Sequence, residues 1–227
     1  MEIKFSRVAV AWATLSFLSF SASVNASFVY SGGTSQALST VVGNDYKANM
    51  MALGFDQMTT GAQLSVDQDG FIDFYFIAAE SGYSNTFTVT DHVAGGTSSI
   101  NEPPSNVTPF GFNGLPGYPT ITIAVKAGEI VDLSFDNGQT GVTKNTVINL
   151  TATKLFDLGL VANSAAGGPL NQIILAYDDQ LSLPGFDDNH DDMMIRADFR
   201  PVPVPAAIWL LCSGLAGLFG VAFRKHR

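Results

Sequence analysis

Hydrophobic and polar residues alternate along several short stretches in the middle of the chain. A period of two with one apolar face predicts a half-buried β-strand, whereas almost no long stretch has helical spacing. At least seven strands are therefore predicted. Their apolar positions are Ile72, Phe74 and Phe76; Phe87 and Val89; Ile121, Ile123 and Val125; Val131, Leu133 and Phe135; Ile148 and Leu150; Ile173, Leu175 and Tyr177; and Met193, Ile195, Ala197 and Phe199.

Turn-forming residues lie between these stretches and support the same fold class. The turn signals are Asp69-Gly70, Gly95-Gly96, Ala127-Gly128, Asn137-Gly138 and Gly167-Gly168-Pro169. Many short strands separated by turns predict an all-β fold, an antiparallel β-sandwich with the jelly roll as one variant. The sequence has no internal repeat, which argues against a propeller or a β-helix.

The longest predicted loop covers residues 101–119 and contains five prolines. Its aromatic residues Phe110, Phe112 and Tyr118 are candidates for stacking on a sugar ring. The alternative is that they pack the loop onto the core of its own domain. Sequence alone leaves both interpretations open.

The N-terminal segment, residues 1–26, has the three zones of a secretory signal peptide. Lys4 and Arg7 give it a positive start, an apolar run covers residues 8–20, and Val24-Asn25-Ala26 supplies small residues before a cut. We expect cleavage between Ala26 and Ser27. The alternative is an uncleaved N-terminal anchor.

The C-terminal segment, residues 201–227, contains a proline motif, an apolar stretch and a basic end, in that order. Alternating prolines at 201, 203 and 205 cannot continue a strand ladder and favour an exposed, extended peptide. Residues 206–223 carry no charge and would span about 27 Å as a helix, close to the thickness of a bilayer core. The chain then ends in Arg224, Lys225, His226 and Arg227. We expect a single transmembrane helix with a cytoplasmic C-terminus.

The motif Val202-Pro203-Val204-Pro205-Ala206, followed by an apolar helix and a basic tail, resembles the PEP-CTERM sorting signal in its VPLPA-type variant. This resemblance covers about 26 residues. It implies export through the secretion machinery, transient passage through the inner membrane, removal of the tail by an exosortase, and a Gram-negative host that secretes exopolysaccharide. Val204 stands where the type form has Glu, which leaves open which sorting enzyme acts. The alternative is a permanent single-span anchor.

The central domain, residues 27–200, is strongly acidic. The two terminal segments contain one acidic and five basic residues, so 19 of the 20 acidic and 6 of the 11 basic side chains remain, a net charge of −13. This charge argues against binding of nucleic acid, which requires clustered Lys and Arg. The single cysteine, Cys212, lies in the tail, so the domain has no thiol and no disulfide.

Acidic residues concentrate near the end of this domain, at Asp178-Asp179 and from Asp187 to Asp192. Asp187, Asn189 and Asp191 have the D-x-N-x-D spacing of a calcium loop, but Asp192 stands where an EF-hand has glycine, and a strand follows. A calcium site would need Asp178, Asp179 or a carbonyl group to complete it. The alternative is a solvated acidic turn. The segment also resembles the acidic end that precedes the tail in many PEP-CTERM proteins, a resemblance that carries no site residue.

Three further features bear on function. Asp198 shares a strand face with Arg196, which predicts a surface ion pair. Asp67 and Asp69-Gly70 form a second acidic segment that is better explained by a hairpin turn than by a metal site. The chain has no G-x-S-x-G motif near a histidine, no metal-binding pair of histidines and no phosphate-binding glycine loop, so we expect no enzyme.

These features favour an exported structural or adhesive protein of the cell envelope, or of an exopolysaccharide or biofilm matrix. The main alternative is a carbohydrate-binding module that uses the aromatic loop. A polysaccharide-active hydrolase is a third possibility, because the distance between two catalytic carboxylates is invisible in sequence.

Overall fold

The structure, a computed structural model, describes residues 27–80, 83–102, 108–139, 146–148, 158–162, 171–179, 190–202 and 214. These residues form eleven β-strands, a short 3-10 helix at Leu38–Thr40 and one α-helix, α1, at Lys47–Ala52. The strands are β1 (Phe28–Ala37), β2 (Gln57–Val66), β3 (Gly70–Ala78), β4 (Thr86–Thr90), β5 (Thr97–Asn101), β6 (Ile121–Val125), β7 (Leu133–Asp136), β8 (Thr146–Ile148), β9 (Leu158–Ala162), β10 (Gln172–Tyr177) and β11 (Met193–Pro201).

The described strands form two sheets in which every pairing is antiparallel. The larger sheet has seven strands in the order β1-β2-β9-β10-β11-β3-β6, and the smaller has four in the order β5-β4-β7-β8. The prediction of an all-β protein with antiparallel strands is therefore confirmed. Each of the seven predicted strands corresponds to an observed one, although Val131 precedes β7 and Leu150 lies outside the described residues.

An inner core lies between the two sheets. The ring of Phe74 on β3 packs 5.2 Å from that of Phe87 on β4, and Phe87 packs 5.0 Å from Phe135 on β7. Phe135 in turn stacks on Tyr177 of β10, with 5.0 Å between ring centroids. These four rings are almost completely buried and join both sheets. Burial of large aromatic side chains is a major source of stability in such a core.

An outer core covers the opposite face of the larger sheet. It includes Leu38 of the 3-10 helix and Met50 of α1, packed with Ile77, Ile174 and Met194 of the sheet. The strands β3, β10 and β11 are therefore buried on both faces, and the expectation that each is only half-buried was wrong. The odd-numbered residues of β10 enter the inner core and the even-numbered ones enter the outer core, because successive side chains point to opposite faces.

Four strands were not predicted. Most of β1 and all but one position of β5 lack large apolar residues, and β9 (LGLVA) is apolar but has no polar residues to alternate with. In β2 an apolar pattern is interrupted by Gly61, whose φ is +70°. Met58 of β2 packs in the outer core, whereas Leu64 and Val66 pack in the inner core. The strand thus changes layer along its length, and its end is bridged to Ile130, just before β7 of the smaller sheet.

Both predicted terminal segments lie outside the described residues, apart from residues 201, 202 and 214. This includes the predicted signal peptide up to Ala26 and the sorting residues Pro203, Val204, Pro205 and Ala206. Among the residues that the structure does describe, no helix is both long enough and apolar enough to cross a membrane.

Candidate functional site

The hairpin formed by β10 and β11 brings two pairs of aspartates together. Tyr177 and Met193 are partners in the ladder, so Asp178-Asp179 and Asp191-Asp192 lie side by side at its end. The backbone N–H of Asp179 donates a 2.8 Å hydrogen bond to Oδ2 of Asp192. All four aspartates are at most 5% exposed, so the charged end of the hairpin is inside the protein.

The smaller sheet contributes Asn85 and Glu102 to the same place. Asn85 directly precedes β4 and Glu102 directly follows β5, and the Glu102 N–H donates to the Asn85 carbonyl oxygen at 2.8 Å. The side-chain amide nitrogen of Asn85 lies 3.1 Å from Oε2 of Glu102 and 3.0 Å from Oδ2 of Asp179. It also lies 3.3 Å from the carbonyl oxygen of Asp192. We call Asn85, Glu102, Asp179 and Asp192 the acidic cluster.

Burial makes the charged forms of these carboxylic acids unfavourable. Burial raises the pKa of Glu102 to about 8, with a smaller opposing effect from the hydrogen bond of Asn85 and a further increase from the charge of Asp179. The pKa of Asp192 is likewise raised to about 9, mainly by burial and also by the charges of Asp179, Asp178 and Asp191, against a smaller lowering effect of the hydrogen bond from the Asp179 N–H. The fold therefore holds carboxyl groups that are costly to ionise.

Asp191 faces the N-terminal part of the domain instead. Its Oδ2 accepts a 2.7 Å hydrogen bond from the backbone N–H of Asp45, and its carbonyl oxygen accepts one from the Glu80 N–H at 3.0 Å. The preceding residue, His190, has a φ of +57°, a left-handed conformation that is uncommon for residues other than glycine. Its carbonyl oxygen accepts a 3.1 Å hydrogen bond from the Asn44 side chain. Asp191 thus connects the hairpin to the segment that leads into α1.

Part of the predicted calcium loop can be compared with this geometry. Asp178, Asp179 and Asp191 do lie close together, whereas Asp187 and Asn189 fall outside the described residues. A solvated acidic turn does not describe Asp178, Asp179, Asp191 and Asp192, because all four are buried. Within the described parts of the chain, no three His, Cys, Asp or Glu side chains are arranged to hold a metal ion. Calcium binding remains a prediction.

Sequence reasoning did not connect Asn85 and Glu102 with the aspartates. Glu102 follows the predicted strand at 86–90 by a dozen residues, and Asn85 is a single amide at the start of that strand. No spacing rule connects them with residues 179 and 192, because the four residues meet only when the two sheets pack. The one local signal was a glutamate directly before two prolines, and nothing in the sequence showed that this glutamate is buried.

The aromatic residues of the proline-rich loop pack onto the domain. The ring centroid of Tyr118 lies 4.2 Å from that of Phe76 on β3. Phe112 lies 6.0 Å from Phe55, and Phe110 lies 5.9 Å from Tyr46. All three predicted sugar-stacking residues are half-buried by these contacts. The geometry favours the alternative in which they hold the loop against the core.

Arg196 forms the predicted ion pair with Asp198, at 2.8 Å, but only the Asp198 side chain, which is 24% exposed, reaches the surface. The Arg196 side chain is only 9% exposed, and its guanidinium lies 4.2 Å from the Tyr75 ring centroid and 4.7 Å from that of Phe112. It also donates to the Phe112 carbonyl oxygen. Arg196 thus connects the proline-rich loop to the larger sheet.

The second acidic segment is a turn, but not the turn of a hairpin. Asp67 and Asp69 accept backbone hydrogen bonds from Ser27 and Ala127, at 2.8 and 2.9 Å. The flanking strands β2 and β3 are separated by three other strands in the sheet. Gly70 is required by close packing, since a Cβ there would lie 2.5 Å from the Arg200 carbonyl oxygen.

In comparisons with known proteins, no family model, no curated protein and no solved structure matches the chain.

Proposed function

We propose that this chain is an exported structural or adhesive protein of a Gram-negative cell envelope or of its exopolysaccharide or biofilm matrix. It is processed at the C-terminus by an exosortase and carries no enzymatic activity. The observation that carries the proposal is the order of a proline motif, an 18-residue uncharged stretch and a basic end in residues 201–227. This order is that of the PEP-CTERM signal, which the segment resembles.

Two structural observations support processing. The last strand, β11, ends at Pro201, and Val202 is 47% exposed, so the sorting motif starts where the chain leaves the sheet. Ser27, the residue after the predicted signal cleavage, has its backbone nitrogen 2.8 Å from Oδ1 of Asp67. Cleavage between Ala26 and Ser27 would turn that nitrogen into an ammonium group beside a carboxylate, a favourable pairing.

The domain itself suits a structural role. We classify the two packed sheets as a β-sandwich. The jelly roll has eight strands in two Greek keys, whereas the described strands number eleven, in sheets of seven and four, so we do not assign it to that variant. Phe110, Phe112 and Tyr118 pack against the core of the domain, which supports a structural role over the carbohydrate-binding alternative.

The test is the intact mass of the protein recovered from a host with an active exosortase and from the same host without it. We expect a mature N-terminus at Ser27 in both hosts and loss of the tail only when the exosortase is present. Replacing Pro203 and Pro205 together with alanine should block tail removal, whereas Pro109→Ala, in the proline-rich loop, should not. Recovery of the mature protein with residues 206–227 attached in the active host would refute the processing.

A further inference from the structure

The acidic cluster lies where the two sheets meet at one end of the domain. Asn85 and Glu102 flank strands β4 and β5 of the smaller sheet, and Asp179 and Asp192 flank strands β10 and β11 of the larger one. Asn137, directly after β7, adds a 2.9 Å hydrogen bond from its side-chain amide to the Asp179 carbonyl oxygen. Five strand ends are therefore connected by polar groups. A proton or an ion that neutralises the carboxylates of the acidic cluster would therefore also help to hold the two sheets together.

The charges in this cluster all have the same sign. The charged groups that act on Glu102 and Asp192 in the described part of the chain are other carboxylates, from Asp179, Asp178 and Asp191. Asn85, Glu102 and Asp179 are 0, 3 and 1% exposed, so water cannot screen them effectively. Buried carboxylates of like charge repel each other unless a proton or a cation compensates them.

A second observation points to a cation. Oδ1 of Asn85 and Oε1 of Glu102 are both buried, and neither has a hydrogen-bond partner among the described residues. Orphaned buried oxygens are rare in native proteins and call for an explanation, one of which is an ion. The surroundings of the Asn85 side chain are also unusual. Its amide nitrogen lies near three oxygen atoms but has only two hydrogens to donate.

We propose that the acidic cluster binds one calcium ion. The ion takes one carboxylate from Glu102, one from Asp179, the carbonyl oxygen of Asp192 and the side-chain oxygen of Asn85. A half-turn of the Asn85 amide exchanges its nitrogen and oxygen without changing its shape. This turn places Oδ1 where Nδ2 now lies, within 3.0 to 3.3 Å of the other three oxygens. When Glu102 and Asp179 each bind through both carboxylate oxygens, these four groups supply six oxygen ligands, the smallest number that calcium takes.

The chemistry of the ligands selects calcium. All four are hard oxygens, and two carboxylates balance the charge of a divalent ion. Magnesium gives up its water shell reluctantly and demands near-octahedral geometry, which a site this deeply buried among mixed carbonyl and carboxylate oxygens does not offer. The Asp192 carboxyl group is not required as a ligand, since its Oδ2 already accepts the Asp179 N–H. The ion would hold the smaller sheet against the β10–β11 hairpin.

The test is thermal unfolding of the full chain in mild detergent, after removal of divalent ions, with calcium chloride, with magnesium chloride and with chelator. Calcium at about 100 times its dissociation constant should raise the Tm by about 5–10 °C, and magnesium should raise it far less. Glu102→Gln preserves shape but removes a charge, and should abolish the calcium-dependent rise. The matched control is Glu129→Gln, because the Glu129 side chain accepts a backbone N–H in an exposed turn, outside the acidic cluster; its rise should equal that of the wild type.

Two results would overturn the proposal. If Glu102→Gln keeps the full calcium-dependent rise, the ion binds elsewhere. If the wild type shows no rise, and equilibrium dialysis finds no bound calcium, the cluster is neutralised by protons alone. If Glu102→Gln does not fold, equilibrium dialysis of the wild type still shows whether the protein binds calcium. None of these measurements depends on export or tail removal, so they succeed or fail independently of the proposed function.

Discussion

The backbone N–H of Asp179 donates a 2.8 Å hydrogen bond to Oδ2 of Asp192, inside the protein. Through this contact the two ends of the β10–β11 hairpin are fixed to each other, and Asn85 fixes both to the smaller sheet. The most acidic part of the domain therefore connects the two sheets to each other.

Asn85 makes hydrogen bonds that connect the two sheets at this place, and its removal should destabilise the whole domain. In the ion-free protein the Asn85 amide donates to the buried Glu102 and Asp179 carboxyl groups, so Asn85→Ala removes a donor and should lower the free energy of unfolding by about 1–3 kcal/mol. The measurement is urea unfolding in chelator. Asn101→Ala is the control, because Asn101 is exposed and its side chain accepts, among the described residues, one hydrogen bond from Thr86; it should change stability by less than about 0.5 kcal/mol. Equal effects of the two variants would contradict the central role of Asn85.

Without divalent ions, the domain should lose stability as the pH rises. The pKa values of Glu102 and Asp192 are raised to about 8 and about 9, from the ordinary values of 4.5 and 3.8. Between these values the folded state holds protons that the unfolded chain releases. The stability that these protons contribute is therefore complete below about pH 4, declines as the pH rises, and is gone once the pH has passed about 8 to 9. Urea midpoints in chelator should fall between about pH 5 and about pH 9.

Asp192→Asn provides the check on this pH dependence. Since an amide does not titrate, the variant should lose less stability than the wild type over the same pH range. Asp69→Asn is the matched change at an exposed aspartate, and it should retain the pH dependence of the wild type. A wild-type midpoint that rises with pH under these conditions would show that the cluster is ionised in the folded state.

Arg196 should be sensitive even to a conservative change. A lysine at this position keeps the charge but loses the planar group that stacks between Tyr75 and Phe112 and bonds to Asp198. Arg196→Lys should therefore cost about 1–2 kcal/mol in the free energy of unfolding. Arg200→Lys is the control, because the Arg200 side chain is 58% exposed and its pair with Asp73 should contribute about 1 kcal/mol or less. A larger loss at Arg200 would refute this assignment.

Replacing the aromatic residues of the proline-rich loop should lower the stability of the domain, and any loss of glycan binding should follow from that loss of stability. Tyr118→Ala and Phe112→Ala each remove a half-buried ring from the core, which should lower the free energy of unfolding by about 1–3 kcal/mol. Phe71→Ala, at an exposed ring, should cost less. The measurements are urea unfolding and retention on the host polysaccharide. Retention lost with stability unchanged would instead restore the carbohydrate-binding alternative.

The alternation of apolar residues was sufficient to predict the fold class and seven of the described strands. Strands β3, β4 and β10 follow it because a residue's direction in a strand depends only on its position in the pleat. The terminal signals are likewise properties of local sequence. The strands that lack the pattern, such as β1 and β5, are stabilised by pairing with a neighbour, which no local window contains.

Only the tertiary structure brought the acidic cluster together. The sequence indicated Asp178, Asp179 and Asp191 as a group, because they are near each other along the chain or across a predicted hairpin. It did not indicate Asn85 and Glu102, which are about 90 residues away and belong to the other sheet. It also predicted solvent exposure for acidic residues that are buried. Burial depends on which elements cover a position, and that is decided by the packing of the two sheets, not by the composition of the segment.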